Sequence, residues 1–469
     1  MVLNIKSDYL EEFFNYDPAE MISQDKENLW HHLMQHKVFE NVDPMIVVEG
    51  NGLRVKDIKG REYLDAVSGG VWCVNVGYGR ESMAEAVYRQ LKIMPYYAGT
   101  AGNIPAIKYA QKLREFLPRL QKVYYSNSGS EANEKAFKMV RQSFRLKYPD
   151  KEKIKILYRN KDYHGTTLAA LSATGQEERR ADFGPFVPGF IEFPHACCYR
   201  CHFGQTYPQC DIACARAVEE IILKEGPDTV GAVFVEPITA GGGIIPPVKE
   251  YYPILQEICK KYDALLIMDE VVCGFGRTGK MFGHEHYDVD PDIVTMAKGT
   301  ASSYMPLSVT MAKEEVFNAF YNDPADKLAY FRDISTYGGC AGGFAAGLEN
   351  IRIIEDEKLC ENSAKMGQYL LDNLREFKQF SIVGDVRGVG LFAGIELVEN
   401  KETKVPVSEA FIGQIIGDIT AQGVLVGRTN RSFTNQNNII NLAPALIVTK
   451  DEIDEIITAI KNSLEKFSN

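Results

Sequence analysis

The stretch ALLIMDEVVCGFGRTGKMFGHEHYDVDPDIVTMAKG (residues 264–299) decides the fold, because it holds two apolar strands that each end in a reactive residue. The run ALLIMD ends at Asp269, and the run IVTMAK ends at Lys298. Short apolar strands that alternate with helices predict a mostly parallel sheet covered on both faces. Ligands of such sheets bind beyond the carboxyl ends of the strands, so both residues are candidates for one site.

The same alternation of strands and helices extends outward from this stretch, starting at about residue 105. Further strands are predicted in KVYYSN (122–127), KIKILYR (153–159) and TVGAVFVEPI (229–238), with amphipathic helices between them. After about residue 345, helices flank FSIVGDVRGVGLFAGIELV (380–398), which predicts a smaller α+β domain. We therefore expect an α/β fold of three parts: an N-terminal segment packing with the small domain (1–75), a large domain (76–344) and the small domain (345–469).

Composition excludes several classes of protein. The chain has 469 residues, 45% of them apolar, and a net charge of −11 without a basic stripe, so we expect no binding to nucleic acid. No apolar run reaches the roughly 18 residues that span a membrane. The acidic, polar N-terminus lacks the features of a signal or transit peptide, which predicts a cytoplasmic protein whose ten cysteines are thiols.

Small residues follow the predicted strand KVYYSN, at the start of the next helix. Ser128, Gly129 and Ser130 would let backbone N–H groups approach an anion, and a helix N-terminus adds about half a positive charge. This pattern suits a phosphate group. The alternative is an ordinary helix cap at Ser130, with an acidic residue in the first turn.

Three other residues at strand ends carry possible chemistry. A buried Asp269 needs a cation or a strong donor such as a pyridinium N–H, although a helix cap or an ion pair would also satisfy it. Burial of Lys298 would lower its pKa and let its amine form an imine with an aldehyde, unless its stem lies along the surface. Tyr163 could stack on a flat cofactor, or it could be an ordinary loop residue.

Several motifs in this order resemble those of the class III aminotransferases of fold type I. They are Ser-Gly-Ser-Glu-Ala-Asn (128–133), Tyr-His-Gly (163–165), Glu-Pro-Ile (236–238), Asp-Glu-Val (269–271), Gly-Phe-Gly-Arg-Thr-Gly (274–279) and Ala-Lys-Gly (297–299). The resemblance runs from about residue 30 to the C-terminus. It implies that the fold is that of a fold type I transferase and that the cofactor is pyridoxal 5'-phosphate.

The resemblance also assigns roles to residues. Gly129 and Ser130, with Ser128, would bind the cofactor phosphate, Tyr163 and Val271 would contact the two ring faces, and Glu236 would belong to the same site. Asp269 would pair with the ring nitrogen, and Lys298 would hold the cofactor covalently and serve, with Asp269, as a catalytic residue. The family also places a threonine of the partner subunit on the phosphate, which here implies Thr336 and a homodimer with a shared active site. Asp333-Ile334 and Cys340-Ala341 depart from the family pattern around this threonine.

Other segments narrow the resemblance within the family. WHHLMQHKVFENVDPMIVVEG (30–50), PHACCYRCHFGQTYPQCDIAC (194–214) and GRTNRSF (427–433) look like the enzymes that transfer the amino group of taurine to pyruvate. The small-molecule partners would then be an amine donor and a 2-oxo acid acceptor. Arg431, or alternatively Arg428, would bind the acidic end of the substrate, and Trp72 and Tyr163 would line its pocket.

Three alternative functions stay open from the sequence. They are a transaminase for β-alanine, 4-aminobutyrate or another ω-amino acid, a lysine-linked racemase or aminomutase, and an inactive cofactor-binding scaffold. Five cysteines between Cys197 and Cys214 could form a zinc site, but their spacing is irregular and similar loops occur in the family without a metal. We therefore predict no metal.

Overall fold

The computed structural model describes residues 15–468, so the first 14 residues of the predicted N-terminal segment lie outside the described part. The described chain begins with helix α1 (Pro18–Asn28), which Asp17 caps by accepting a hydrogen bond from Glu20 N at 2.8 Å. The strands and the α-helix that follow are β1 (Val47–Asn51), β2 (Arg54–Asp57), β3 (Glu62–Asp65) and α2 (Glu81–Ile93).

The middle of the chain alternates strands and helices, as the sequence predicts. Its strands are β4 (Leu120–Ser126), β5 (Lys155–Arg159), β6 (Phe190–Phe193), β7 (Val230–Val235), β8 (Leu265–Asp269), β9 (Ile293–Met296) and β10 (Ser308–Lys313). Its helices are α3 (Ile104–Phe116), α4 (Gly129–Lys147), α5 (Leu168–Ser172), α6 (Glu177–Arg180), α7 (Ala213–Glu225), α8 (Tyr251–Lys261) and α9 (Glu314–Asn318).

These seven strands form one sheet in the order β4-β10-β9-β8-β7-β5-β6. Only β10 runs antiparallel to its neighbours, so the prediction of a mostly parallel sheet is confirmed. Side chains alternate between two apolar cores, one on each face: Leu266 and Met268 belong to one core and Ile267 to the other. Burial on both faces explains why the strands are almost continuously apolar in sequence.

The C-terminal part is smaller and mixes helices with antiparallel strands. Its elements are α10 (Ala341–Asp356), α11 (Leu359–Glu376), β11 (Val383–Gly388), β12 (Ala393–Leu397), α12 (Glu409–Ala421), β13 (Val424–Leu425), β14 (Gly427–Arg428), β15 (Ile439–Leu442) and α13 (Lys450–Phe467). Four of these strands form the sheet β11-β12-β15-β14, whereas β13 pairs in parallel with β3. The N-terminal and C-terminal segments thus share a sheet, and the domain boundaries given above stay a prediction.

The strand predicted in ALLIMD (264–269) forms as β8 and ends where that apolar run ends. It ends at Asp269, because the Asp269 carboxylate accepts a hydrogen bond from Val271 N at 3.0 Å and turns the chain away from the sheet. A side chain that bonds nearby backbone in this way competes with strand pairing. The turn leaves Asp269 at the tip of β8.

The helices are amphipathic rather than uniformly apolar. Helix α4, with 19 residues the longest of those described, buries Phe137, Val140 and Phe144 on one face and exposes charged residues on the other. Among residues 15–468, no helix combines the length and the apolar character needed to cross a membrane.

Candidate active site

The predicted site residues lie beyond the carboxyl ends of adjacent parallel strands. Strands β8 and β9 pair with Asp269 opposite Thr295, and Lys298 follows three residues after Thr295. Tyr163 follows β5, and Glu236 follows β7 directly. Parallel pairing brings these strand ends to one edge of the sheet, as the sequence predicts.

Asp269 is buried, with 2% of its surface exposed, and both of its carboxylate oxygens are engaged. Oδ2 lies 2.7 Å from His164 Nδ1 and accepts a hydrogen bond from Asn133 Nδ2 at 2.9 Å. Oδ1 accepts the bond from Val271 N. These donors fix the orientation of the carboxylate, and no lysine or arginine among residues 15–468 forms an ion pair with it. A ring N–H of a cationic cofactor would supply the missing cation.

Lys298 lies in a strained and enclosed position at the tip of β9. Its backbone φ is +48°, and its Nζ lies 5.4 Å from the centroid of the Trp72 ring. Burial lowers the pKa of the Lys298 amine, although the nearby acidic groups of Cys73, Glu236 and Asp269 oppose that shift. No carboxylate in the described chain comes within ion-pair distance of it. A buried amine with a lowered pKa is a competent nucleophile toward an aldehyde.

The start of helix α4 is lined by small residues. Ser128, not Ser130, is the N-cap, since its Oγ accepts a hydrogen bond from Glu131 N at 3.2 Å. The Oγ of Ser130 instead accepts a bond from Thr166 N at 3.1 Å. A Cβ added to Gly129 would lie 3.0 Å from the Val271 side chain, so Gly129 keeps this contact open. An ordinary helix cap is therefore present, at Ser128 rather than at the predicted Ser130, and Ser130 lies within the first helical turn, where anions bind.

Glu236 supports the loop that carries Tyr163. Its two carboxylate oxygens accept hydrogen bonds from Tyr163 N at 2.7 Å and from Ala240 N at 2.8 Å. Burial raises the pKa of Glu236 well above its ordinary value, and the nearby carboxylates of Asp162 and Asp269 raise it further. Glu236 thus holds Tyr163 in place, and a direct contact of Glu236 with the cofactor stays a prediction.

The two arginines predicted to bind the substrate differ in their surroundings. Arg428 donates a hydrogen bond to Glu409 O at 3.3 Å and lies 3.9 Å from the Glu409 carboxylate. For Arg431, by contrast, no carboxylate within ion-pair distance is present in residues 15–468. Its backbone φ is +54°, in a loop that spans residues 429–437. A free guanidinium favours Arg431 over Arg428 as the residue that meets an acidic substrate.

The segment around Thr336 lies beside the start of helix α4. The neighbouring Ser335 Oγ is 3.4 Å from Asn127 Nδ2 and 3.4 Å from a carboxylate oxygen of Glu131. Thr336 itself is exposed. Asp333, which departs from the family pattern, forms ion pairs with Lys135 and Lys138 of α4. These ion pairs tie the segment to the helix and explain how the departure is accommodated.

Two residues near the site make contacts that the sequence analysis did not predict. Asn133, which donates to Asp269, stands in the first turns of α4 and resembles an ordinary polar helix residue in sequence. Arg179 lies with its guanidinium 5.4 Å from the centroid of the Tyr163 ring. Its segment, Glu-Glu-Arg-Arg (177–180), has the charge pattern of a solvated helix face. Asn133 closes the motif at 128–133, although the sequence assigned it no role, and no sequence signal distinguished Arg179 from its neighbours.

The cysteine cluster between Cys197 and Cys214 contains free thiols. In the described part of the chain, no group of three or more His, Cys, Asp or Glu side chains is arranged to hold a metal ion. Cys198 is exposed and Cys197 is buried, while Cys201, Cys210 and Cys214 are intermediate. The thiols therefore differ in accessibility.

These residues fit pyridoxal phosphate. Three features of residues 15–468 match the ring nitrogen, the aldehyde and the phosphate: a buried carboxylate that pairs with no lysine or arginine, an amine that pairs with no carboxylate, and a helix start lined by small residues. Asp269 would hold the ring nitrogen, Lys298 would bind the aldehyde carbon, and Gly129 and Ser130 would lie at the phosphate.

Comparison with protein families gives one match that covers most of the chain. The model of the class III aminotransferases matches residues 37–464. The taurine–pyruvate aminotransferase of Bilophila wadsworthia is 56% identical over 446 residues, which cover 95% of this chain and 97% of that enzyme. The hypotaurine/taurine–pyruvate aminotransferase of Paracoccus denitrificans is 52% identical over 452 residues, covering 96% and 98%.

Solved structures agree with these sequence matches. An aminotransferase of Bacillus anthracis superposes with a TM-score of 0.91 at 41% identity, covering 96% of this chain and 98% of that one. An (S)-enantioselective omega-transaminase of Thermomicrobium roseum gives a TM-score of 0.91 at 33% identity, and the match covers 97% of this chain and 100% of that one. The fold predicted from the sequence is thereby confirmed.

Proposed function

Because the chain belongs to the class III aminotransferases, which are pyridoxal-phosphate-dependent enzymes, we propose that it transfers the amino group of taurine to pyruvate, giving sulfoacetaldehyde and alanine. Four relatives named for taurine–pyruvate transamination, 51–56% identical over nearly the whole chain, support this choice of substrates. The observation that carries the chemistry is the placement of Asp269 and Lys298 at the tips of adjacent strands, the carboxylate buried and the lysine half-buried. Among residues 15–468, no lysine or arginine forms an ion pair with Asp269, and no carboxylate forms one with Lys298.

The roles of these residues follow from the chemistry of the cofactor. Pyridoxal phosphate supplies an aldehyde that accepts amino groups and a pyridinium ring that takes up the electron pair of a breaking C–H bond. The carboxylate of Asp269 holds the proton on the ring nitrogen, and His164 and Asn133 keep that carboxylate oriented. The Nζ of Lys298 removes the proton from the substrate carbon, since its lowered pKa leaves more of the amine uncharged.

The acidic group of the substrate binds to Arg431. A guanidinium presents N–H donors in a planar fork that matches the oxygens of a sulfonate or a carboxylate. Trp72 lies beside the Lys298 amine, and the centroid of its ring is 5.6 Å from that of the Phe392 ring. Trp72 forms a wall of the same pocket. The substrate is thus held between a cation at one end and the reactive amine at the other.

The substrate assignment can be tested with the holoenzyme in two half-reactions. Taurine alone is expected to bleach the yellow absorbance of the bound cofactor, and pyruvate is expected to restore it, because amino groups enter and leave in separate steps. Bleaching by β-alanine or 4-aminobutyrate without bleaching by taurine would contradict the assignment and favour an ω-amino acid transaminase. A pure racemase would not release sulfoacetaldehyde.

We also propose that the enzyme is a homodimer in which Thr336 completes the phosphate site of the partner subunit. Large apolar side chains are exposed around the segment that carries Thr336: Ile334 is 72% exposed, Tyr337 68% and Tyr97 57%. The backbone of Tyr97 pairs with that of Gly339, which places these residues in one region. An apolar patch of this kind favours association between subunits.

Sedimentation velocity tests the proposed dimer. The wild-type enzyme is expected to sediment as twice the 52.6 kDa chain. Ile334→Asp is expected to shift the enzyme toward monomer and lower its cofactor content, whereas Leu223→Asp, at a likewise exposed position on an outer helix, should stay dimeric. Thr336→Ala should stay dimeric but bind cofactor about 10-fold more weakly, through loss of a charge-assisted hydrogen bond. A monomeric, fully active wild-type enzyme would contradict the proposal.

We further propose a cytoplasmic location. All ten cysteines are free thiols, and those of the cluster between Cys197 and Cys214 include one exposed and three half-exposed thiols. Thiols this accessible and close in sequence persist best in a reducing compartment.

A further inference from the structure

The short helix α6 is fastened to the loop at residues 429–437, which carries Arg431. Three consecutive residues of the helix make these contacts, although the two segments are about 250 residues apart in sequence. The hydrogen bonds run from Glu178 N to Ser432 O at 3.2 Å, from Thr434 N to Glu177 Oε1 at 2.6 Å and from Arg179 Nη2 to Asn430 O at 3.0 Å. The fold therefore holds the segment of Arg179 beside the loop that carries Arg431.

Arg179 is a second cation in the neighbourhood of the proposed substrate site. Its guanidinium lies over the ring of Tyr163, and its Nε is buried without a hydrogen-bond partner. Burial lowers the pKa of Arg179, and the positive charge of Arg431 lowers it further, while Tyr163 and Glu178 oppose that shift. The charges of the two arginines therefore repel each other. The adjacent carboxylate of Glu178 is turned to Asn437 Nδ2 at 2.9 Å and forms no ion pair with Arg179 in residues 15–468.

Two arginines on neighbouring segments, neither of them with a carboxylate at ion-pair distance in residues 15–468, favour an anionic ligand. An arginine stays protonated in proteins, so the repulsion is relieved by a counterion rather than by loss of a proton. A buried N–H without a partner is likewise satisfied when a ligand supplies an oxygen. A sulfonate has three oxygens in a tetrahedral arrangement and can meet two guanidinium groups from different directions, whereas a carboxylate offers two oxygens in one plane.

We propose that Arg179 is a specificity-determining residue that binds the sulfonate of the substrate together with Arg431, each arginine taking different oxygens. This assignment rests on the proposed function and refines it, since it names the residue that favours a sulfonate over a carboxylate. Arg431 alone satisfies the two oxygens of a carboxylate, and Arg179 adds binding energy that only the third oxygen can use. The side chain of Arg179 also holds the loop of Arg431 through Asn430 O.

The test is an equilibrium titration of the holoenzyme with ethanesulfonate and with propionate, neither of which carries an amino group that could react. Arg179→Gln is expected to raise the Kd for ethanesulfonate about 50-fold and the Kd for propionate less than about 5-fold, because a charged donor to the third oxygen is lost. Arg179→Lys should restore part of the sulfonate affinity, since it keeps the charge but not the fork. The matched control is Arg180→Gln, since the guanidinium carbon of Arg180 lies 4.5 Å from the centroid of the Phe186 ring. This variant should leave both Kd values unchanged.

Each other outcome overturns the proposal. Equal weakening of both ligands by Arg179→Gln would mean that Arg179 only holds the loop through Asn430. Unchanged binding of ethanesulfonate, or no measurable binding of it to the wild-type enzyme, would remove Arg179 from the site. Failure of the proposed function looks different: taurine would then not bleach the cofactor, while ethanesulfonate would still bind in an Arg179-dependent way.

Discussion

Replacement of Lys298 by alanine is expected to lower the rate of amino-group transfer by at least about 10⁴-fold, the upper range for loss of a general acid–base group. The amine has two tasks, since it binds the cofactor and moves the proton at the substrate carbon, and the variant loses both. Burial lowers the pKa of this amine, which leaves more of it uncharged and able to act as a base. Single-turnover absorbance changes with taurine and with alanine measure the loss.

A matched control separates this effect from a general loss of a lysine. Lys280→Ala removes an exposed lysine whose Nζ donates to Glu285 O at 2.7 Å, and it should keep wild-type turnover. The Lys298→Ala protein should still contain cofactor, because Asp269 and the start of α4 remain. Turnover within about 10-fold of wild type in the Lys298 variant would contradict the assigned role.

Replacement of Asp269 by asparagine is expected to lower kcat about 10³-fold while cofactor stays bound. The amide has nearly the same shape but no negative charge, so it cannot keep the ring nitrogen protonated. The companion variant Asn133→Ala removes one hydrogen bond to the carboxylate and should lower kcat about 10-fold. The exposed Asp228, which pairs with Lys151 on the surface, provides the control variant Asp228→Asn.

Steady-state kinetics together with cofactor content decide this second prediction. A loss of cofactor that parallels the loss of activity in Asp269→Asn would indicate a binding role alone. A kcat within a few-fold of wild type would show that the ring nitrogen does not depend on this carboxylate.

The sequence predicts the sheet well because burial on both faces leaves a clear mark in composition. Strands such as β8 are almost continuously apolar, and the polar residue that ends each one stands out against them. Asp269 and Lys298 can therefore be recognised from the amino-acid sequence alone. The bond that turns the chain after β8 cannot be recognised in this way, since it runs from Val271 N to the Asp269 carboxylate and depends on the folded backbone.

The substrate end of the site is much harder to predict from sequence. Arg179 stands in a four-residue helix with two acidic neighbours, a pattern that usually marks a solvated surface. Its contact with Asn430 joins segments that only the folded chain brings together. Arg428 and Arg431 are three residues apart in sequence, and only the position of Glu409 distinguishes them.

Reduction of the holoenzyme with sodium borohydride, followed by peptide mapping, tests the central claim most directly. The reagent converts a C=N link between a lysine and the cofactor into a stable amine, so the modified peptide identifies the lysine. The account predicts the added mass on the peptide that contains Lys298. The competitor is Lys161, which is buried and whose pKa is lowered to about 8. Cofactor mass on Lys161, or on no lysine at all, would contradict the account.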